Sequence, residues 1–130
     1  VDRCASAWLV RRFVDPGARF VFVAKGDAPP DGATPFDMPG VELGHRGRAC
    51  TFETMLSHHG LGSDAALAGI AALVHDLDFR ELKLPESPGL DAVLQGLVLA
   101  EADDHRVLER AAIVFDALYA RERARVEADA

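Results

Sequence analysis

Arg19-Phe20-Val21-Phe22-Val23-Ala24 is the stretch whose reading decides the fold class. Its β-branched and aromatic residues, bounded by Gly17 and Gly26, have the composition of a buried strand. With that strand the chain is α+β; without it, the chain is helical. On its N-terminal side, Asp2 to Val14 places Ala5, Trp8, Leu9 and Phe13 at helical spacing, and Asp15-Pro16-Gly17 stops the helix. On its C-terminal side, Asp27 to Thr34 (DAPPDGAT) is too rich in Pro, Gly and Asp for regular structure. Pro35 to Gly40 then leads into a short extended stretch near Val41–Leu43. Thr51 is placed to cap a helix from Phe52 to His59 that Gly60 ends.

From Ser63 onward the pattern is helical. A helix capped by Ser63 carries the apolar stripe Leu67, Ile70, Ala71, Val74 and Leu77. A second starts at Ser87-Pro88, with proline in its favoured first-turn position, and turns Leu90, Val93, Leu94, Leu97 and Val98 inward. The third and longest covers 103–127 around Val107, Leu108, Ala111, Phe115 and Leu118. The expected architecture is α+β in one domain over 1–130: a small sheet of few strands in the N-terminal half packed with helices, then three C-terminal helices.

Composition narrows the partners. The 130 residues carry 14 Lys+Arg against 21 Asp+Glu, a net charge of −7. Such an acidic chain is not expected to bind nucleic acid directly, because neutralising phosphates takes clustered cations. No apolar run is long enough to span a membrane. The two cysteines, Cys4 and Cys50, match no CxxC spacing and read as reduced thiols of a cytoplasmic protein. The chain opens at Val1 without methionine and with no signal-peptide pattern, which fits a segment of a longer protein. A homodimer stays open.

Chemistry concentrates in two places. His45 to Glu53 (HRGRACTFE) gathers an imidazole, a thiol and a carboxylate within nine residues. Val74 to Asp78 (VHDLD) adds His75, Asp76 and Asp78 near the end of an otherwise apolar helix. His75 and Asp78 are three apart and share a face, while Asp76 points about 100° away. Imidazole with carboxylate suits a divalent Zn, Mn or Fe ion. The expected metal ligands are His45, Glu53, His75 and Asp76, with Cys50 as a further soft ligand or a redox-sensitive neighbour. Asp2 and Asp78 are expected to orient ligating imidazoles from behind. Each group also has a plainer reading. Glu53 can complement a helix dipole, Cys50 can be a small buried apolar residue, and each histidine can belong to a buried polar network. The AALVHDLD string is similar to the His-Asp helix of HD-domain phosphohydrolases. The Gly-rich setting of His45 and the Pro/Gly-rich first half do not suit that all-helical fold.

Taken in order, DRCASAWLVRRFVDPGARFVFV (2–23), PFDMPGVELGHRGRACTFE (35–53) and VHDLDF (74–79) resemble the C-terminal domain of the ChrB family of chromate resistance proteins. The family's motifs land on Asp2, Arg3, Trp8, Asp37, His45, Gly47, Cys50, Glu53, His75 and Asp76. The resemblance implies a domain linked to chromate resistance, a stress response, whose full-length protein looks like a chromate-responsive regulator. Together with the metal donors above, the expectation is a metal-binding domain acting as a chromate- or metal-responsive sensor or accessory module in regulation. Chromate is a tetrahedral dianion, so an oxyanion site would call on Arg3, Arg46 or Arg48. Two other roles stand beside this one. The same donors could make a divalent-metal-dependent enzyme acting on a small molecule, or a structural or interaction domain built on a buried polar network. Whether the chain is an enzyme is left undecided by its sequence.

Overall fold

In the computed structural model, which describes residues 1–130, DRCASAWL winds into α1 (Asp2–Leu9). The chain continues as a short π-helical turn over Val10–Val14 and ends where Asp15 becomes extended, ahead of Pro16-Gly17. Ala5, Trp8 and Leu9 are buried, as their spacing predicts, and Phe13 is half-buried. No helix is long and apolar enough to cross a membrane.

The expected sheet is absent, and the α+β expectation is corrected to an all-helical fold. The only β-type pairings are two isolated bridges, Phe36 with Leu43 and Arg46 with Ala49. Residues 19–24 form a strap outside any helix, with no paired strand. The alternation of a strand is nevertheless present. Phe20 lies against the Phe36 ring (6.0 Å between centroids) and under the Arg11 guanidinium (4.7 Å). Phe22 meets His105 at 4.9 Å and Arg3 at 5.2 Å, whereas Val21 faces solvent at 63% exposure. Strand composition reports side chains that fit a half-buried surface. Here that surface is helical, and no second segment supplies the ladder.

Four more helices complete the fold: α2 (Thr51–His58), α3 (Ala65–Asp78), α4 (Ser87–Ala100) and α5 (Asp104–Asp129). The α3 stripe is buried as expected, with Leu67, Ile70 and Val74 fully enclosed. Its cap is Asp64, whose side chain accepts from the Leu67 N–H at 3.0 Å, one residue beyond the expected Ser63. α5 packs along both α1 and α3 and contributes Val107, Leu108, Ala111, Phe115 and Tyr119 to the core. Trp8 sits at the centre of an aromatic group with Phe13, Phe52, Phe115 and Tyr119 at centroid distances from 5.6 to 6.5 Å. α4 buries only Leu90 and Leu94 of its apolar stripe, leaving Val93 and Val98 exposed.

The accessible surface is 7788 Å², against about 6,700 Å² expected for a compact chain of this mass. The excess fits the long non-helical connection between Val14 and Thr51 and the exposed end of α5. That connection is tied down at few points, and those ties lead to the site.

Candidate functional site: two histidine–carboxylate clusters

The end of α3 sets the geometry. Val74 and Leu77 anchor it in the core, so His75 and Asp78 fall on the face turned toward α2 and the start of α1, while Asp76 points elsewhere. The two histidines expected to share one ion take part in two separate groups. In the first, the Cys50 thiol, the Glu53 carboxylate and the His75 imidazole bring one donor atom each to within 4.8 Å of one another. In the second, Asp2, Asp37 and His45 do the same. The Phe79 ring contacts both imidazoles, at 5.4 Å from His45 and 4.5 Å from His75.

Glu53 is the third residue of α2, so its carboxylate folds back on the helix start and accepts the Cys50 N–H at 3.1 Å. The same oxygen lies 2.6 Å from His75 Nδ1. Burial opposes ionisation of Glu53, but the hydrogen bonds from His75 and the Cys50 backbone outweigh it, holding the carboxyl below its usual range. The bond to Glu53 raises the His75 pKa against the opposing effect of burial. Cys50 is fully enclosed, and burial pushes its thiol strongly upward, so without a cation it stays protonated.

Asp2 is the organiser of the second group. It is 3% exposed, and its carboxylate accepts the N–H of Thr51 at 2.8 Å and of Phe52 at 2.9 Å. A residue of α1 therefore supplies the side-chain cap of α2, and Thr51, the expected cap, is the first helical residue instead. The Thr51 hydroxyl donates to Asp37 at 2.8 Å. His45 Nε2 stands 3.1 Å from Asp2 and 2.9 Å from Asp78. Burial raises the pKa of both Asp37 and Asp78, reinforced by the negative charge of Asp2. Asp37 holds a left-handed backbone, φ 52°.

Asp76, expected as a ligand, is occupied elsewhere. Its carboxylate accepts the N–H groups of Lys83 and Leu84, both at 3.0 Å, and the Ser87 hydroxyl in a short hydrogen bond. Its carbonyl accepts from Glu81. These bonds pin a turn in which Arg80 and Leu82 both adopt positive φ, each at a cost of roughly 1 kcal/mol. The helical offset of Asp76 from His75 was a usable signal for this divergence.

The three arginines considered for an oxyanion do not converge. Arg3 pairs with Asp104 at 3.8 Å and lies over Phe22. Arg48 is exposed and makes no ion pair. Arg46 alone reaches the site: it lines a cleft of about 290 Å³ with Glu42, Glu53, Thr54, Ser57 and His58. A larger cleft of about 510 Å³ between α1 and α5, lined by Trp8, Arg11, Arg12 and Asp116 among others, shares no residue with either cluster. Asp37 joins the second group although its sequence context carries no ligand signal. It was visible only as a motif position, because nothing local marks a loop aspartate as the partner of a threonine fourteen residues on.

The molecule is thus an all-helical domain whose N-terminal connection and α3 deliver two His–carboxylate clusters to the start of α2. Residues 1–122 match the family model described as the ChrB C-terminal domain. The chain is 38% identical over 119 residues to Protein ChrB of Cupriavidus metallidurans, covering 92% of this chain and 37% of that protein. It belongs to the ChrB C-terminal domain family. No solved structure matches it.

Proposed function

We propose that the domain is a metal-responsive sensing or accessory module of a cytoplasmic protein tied to chromate resistance, with a divalent ion held by Cys50, Glu53 and His75. The observation that carries this reading is the convergence of a sulfur, an oxygen and a nitrogen donor within 4.8 Å at the junction of α2 and α3. A mixed donor set of this kind suits Zn, Mn or Fe. A bound cation replaces the proton between Glu53 and His75 and favours the thiolate of Cys50. Because its ligands come from the start of α2 and the end of α3, occupancy couples to how these helices sit on each other. Arg46, beside Glu53, is the cation nearest to hand for an oxyanion at an open coordination position.

Elemental analysis of protein purified without chelator tests the reading. At least one equivalent of first-row metal, with one equivalent lost on His75→Ala and part of it on Glu53→Gln, is the expected result. Substoichiometric metal in the parent, or full retention in His75→Ala, refutes it. A second reading, a purely structural polar network, is favoured by the capping of α2 by Asp2. It predicts stability losses in the variants without any metal in the parent.

A further inference from the structure

The second cluster has a chemistry of its own. Asp2, Asp37 and Asp78 bring three carboxylates around one imidazole, and no lysine or arginine lies within ion-pair distance of any of them. Each is drawn in by a different constraint: Asp2 by the start of α2, Asp37 by the Thr51 hydroxyl, Asp78 by the anchored end of α3. Asp2 is 3% and the Asp78 side chain 20% exposed, so water screens their repulsion only in part. His45 Nε2 stands 2.9 Å from Asp78 and 3.1 Å from Asp2. A cation with bonds of about 2.1 Å holds adjacent octahedral ligands about 3.0 Å apart, so these donors need little movement to enclose one.

We propose that Asp2, Asp37, His45 and Asp78 form a second divalent-cation site, separate from the Cys50–Glu53–His75 site and selective for harder ions such as Mn²⁺. Three oxygens and one nitrogen favour Mn²⁺ or Fe²⁺, whereas the thiol-containing cluster favours softer ions. The ion is held through the Nε2 lone pair of a neutral His45, whose ring proton then sits on Nδ1. Because Asp2 also caps α2, occupancy of this site fixes the loop carrying Asp37 and His45 against the helices. The site stands whether or not the first cluster binds metal.

Mn²⁺ titration of the metal-stripped 130-residue chain, followed by electron paramagnetic resonance, tests it. The parent is expected to bind Mn²⁺ at this site, Asp78→Asn and His45→Ala to weaken binding at least tenfold, and His75→Ala and Cys50→Ser to leave it within twofold. Asp78→Asn keeps the shape of the side chain, and circular dichroism confirms that each variant is folded. Absence of Mn²⁺ binding by the folded parent overturns the proposal, as does unchanged binding in Asp78→Asn. Equal loss in His75→Ala and Asp78→Asn overturns the separation into two sites.

Discussion

Replacing Asp2 by alanine tests the capping of one helix by another. The substitution removes an acceptor for the Thr51 and Phe52 N–H groups, held at 2.8 and 2.9 Å by a carboxylate that is 3% exposed. Loss of a helix cap costs about 0.5–2 kcal/mol, and hydrogen bonds to a charged acceptor are each worth about 1.5–3 kcal/mol. The two figures overlap, since the cap is made of those bonds, and a water entering the gap recovers part of the loss. The expected destabilisation is about 3 kcal/mol. At roughly 2.1 cal/mol/K per residue the unfolding entropy of a chain this size is about 0.27 kcal/mol/K, so the melting temperature falls by about 11 °C. Asp2→Asn keeps one acceptor oxygen and should lose about half as much. Thermal unfolding followed by circular dichroism in excess chelator reads the effect with any cation contribution removed. Hydrogen exchange localises it, with the Thr51 and Phe52 amides exchanging faster than the α3 core. A shift below about 3 °C for Asp2→Ala, with those amides still protected, would show that the start of α2 does not depend on this contact.

Other outcomes follow from the same structure. Asp76→Ala should speed exchange of the Lys83 and Leu84 amides and loosen the start of α4 without changing metal content; loss of metal with an intact turn would return Asp76 to the ligand set. Phe115→Ala empties a fully enclosed position beside Trp8 and should cost about 3–5 kcal/mol by urea unfolding. Glu53 has a lowered pKa, so its stabilising effect is present above about pH 4.3, its unfolded value, and fades as pH falls through the folded one. His75 has a raised pKa, so its effect is complete below about pH 6.5 and fades as pH rises through the folded value. In metal-free protein the pair therefore supports stability most between about pH 4.5 and 6.5, and Glu53→Gln should flatten that maximum in a pH series of urea titrations. Gly69 lies under the Glu122 carboxylate, where an added Cβ would clash with a side-chain oxygen. Gly69→Ala should displace Glu122 toward solvent, with the gain in helix propensity, about 1 kcal/mol, keeping the net change near zero; a loss above about 2 kcal/mol would show that Glu122 cannot move.

The helices were legible because each carries its signal locally. Leu67, Ile70, Val74 and Leu77 recur at the helical period, and Pro88 marks the start of α4. The strap at 19–24 has the β-branched and aromatic composition of a strand because Phe20 and Phe22 are half-buried against other parts of the fold, and composition says nothing about whether a partner strand exists. Val93 and Val98 fit the apolar stripe of α4, yet the neighbouring helices bury Leu90 and Leu94, cover Leu97 in part and leave both valines exposed.

At the site, the sequence by itself determined the inventory: which imidazoles, carboxylates and thiol are present, and that His75 and Asp78 share a helix face while Asp76 does not. That much follows from the fixed rotation per residue of an α-helix. Tertiary structure alone decided how the inventory is divided. Asp2 and Thr51 are 49 positions apart, and His75 and Glu53 are 22 apart. Contacts at such separations depend on how α1, α2 and α3 pack around Trp8 and Phe52, which no local pattern records. The same packing sends Asp76 to brace the turn before α4 and leaves His45 among three aspartates rather than beside His75.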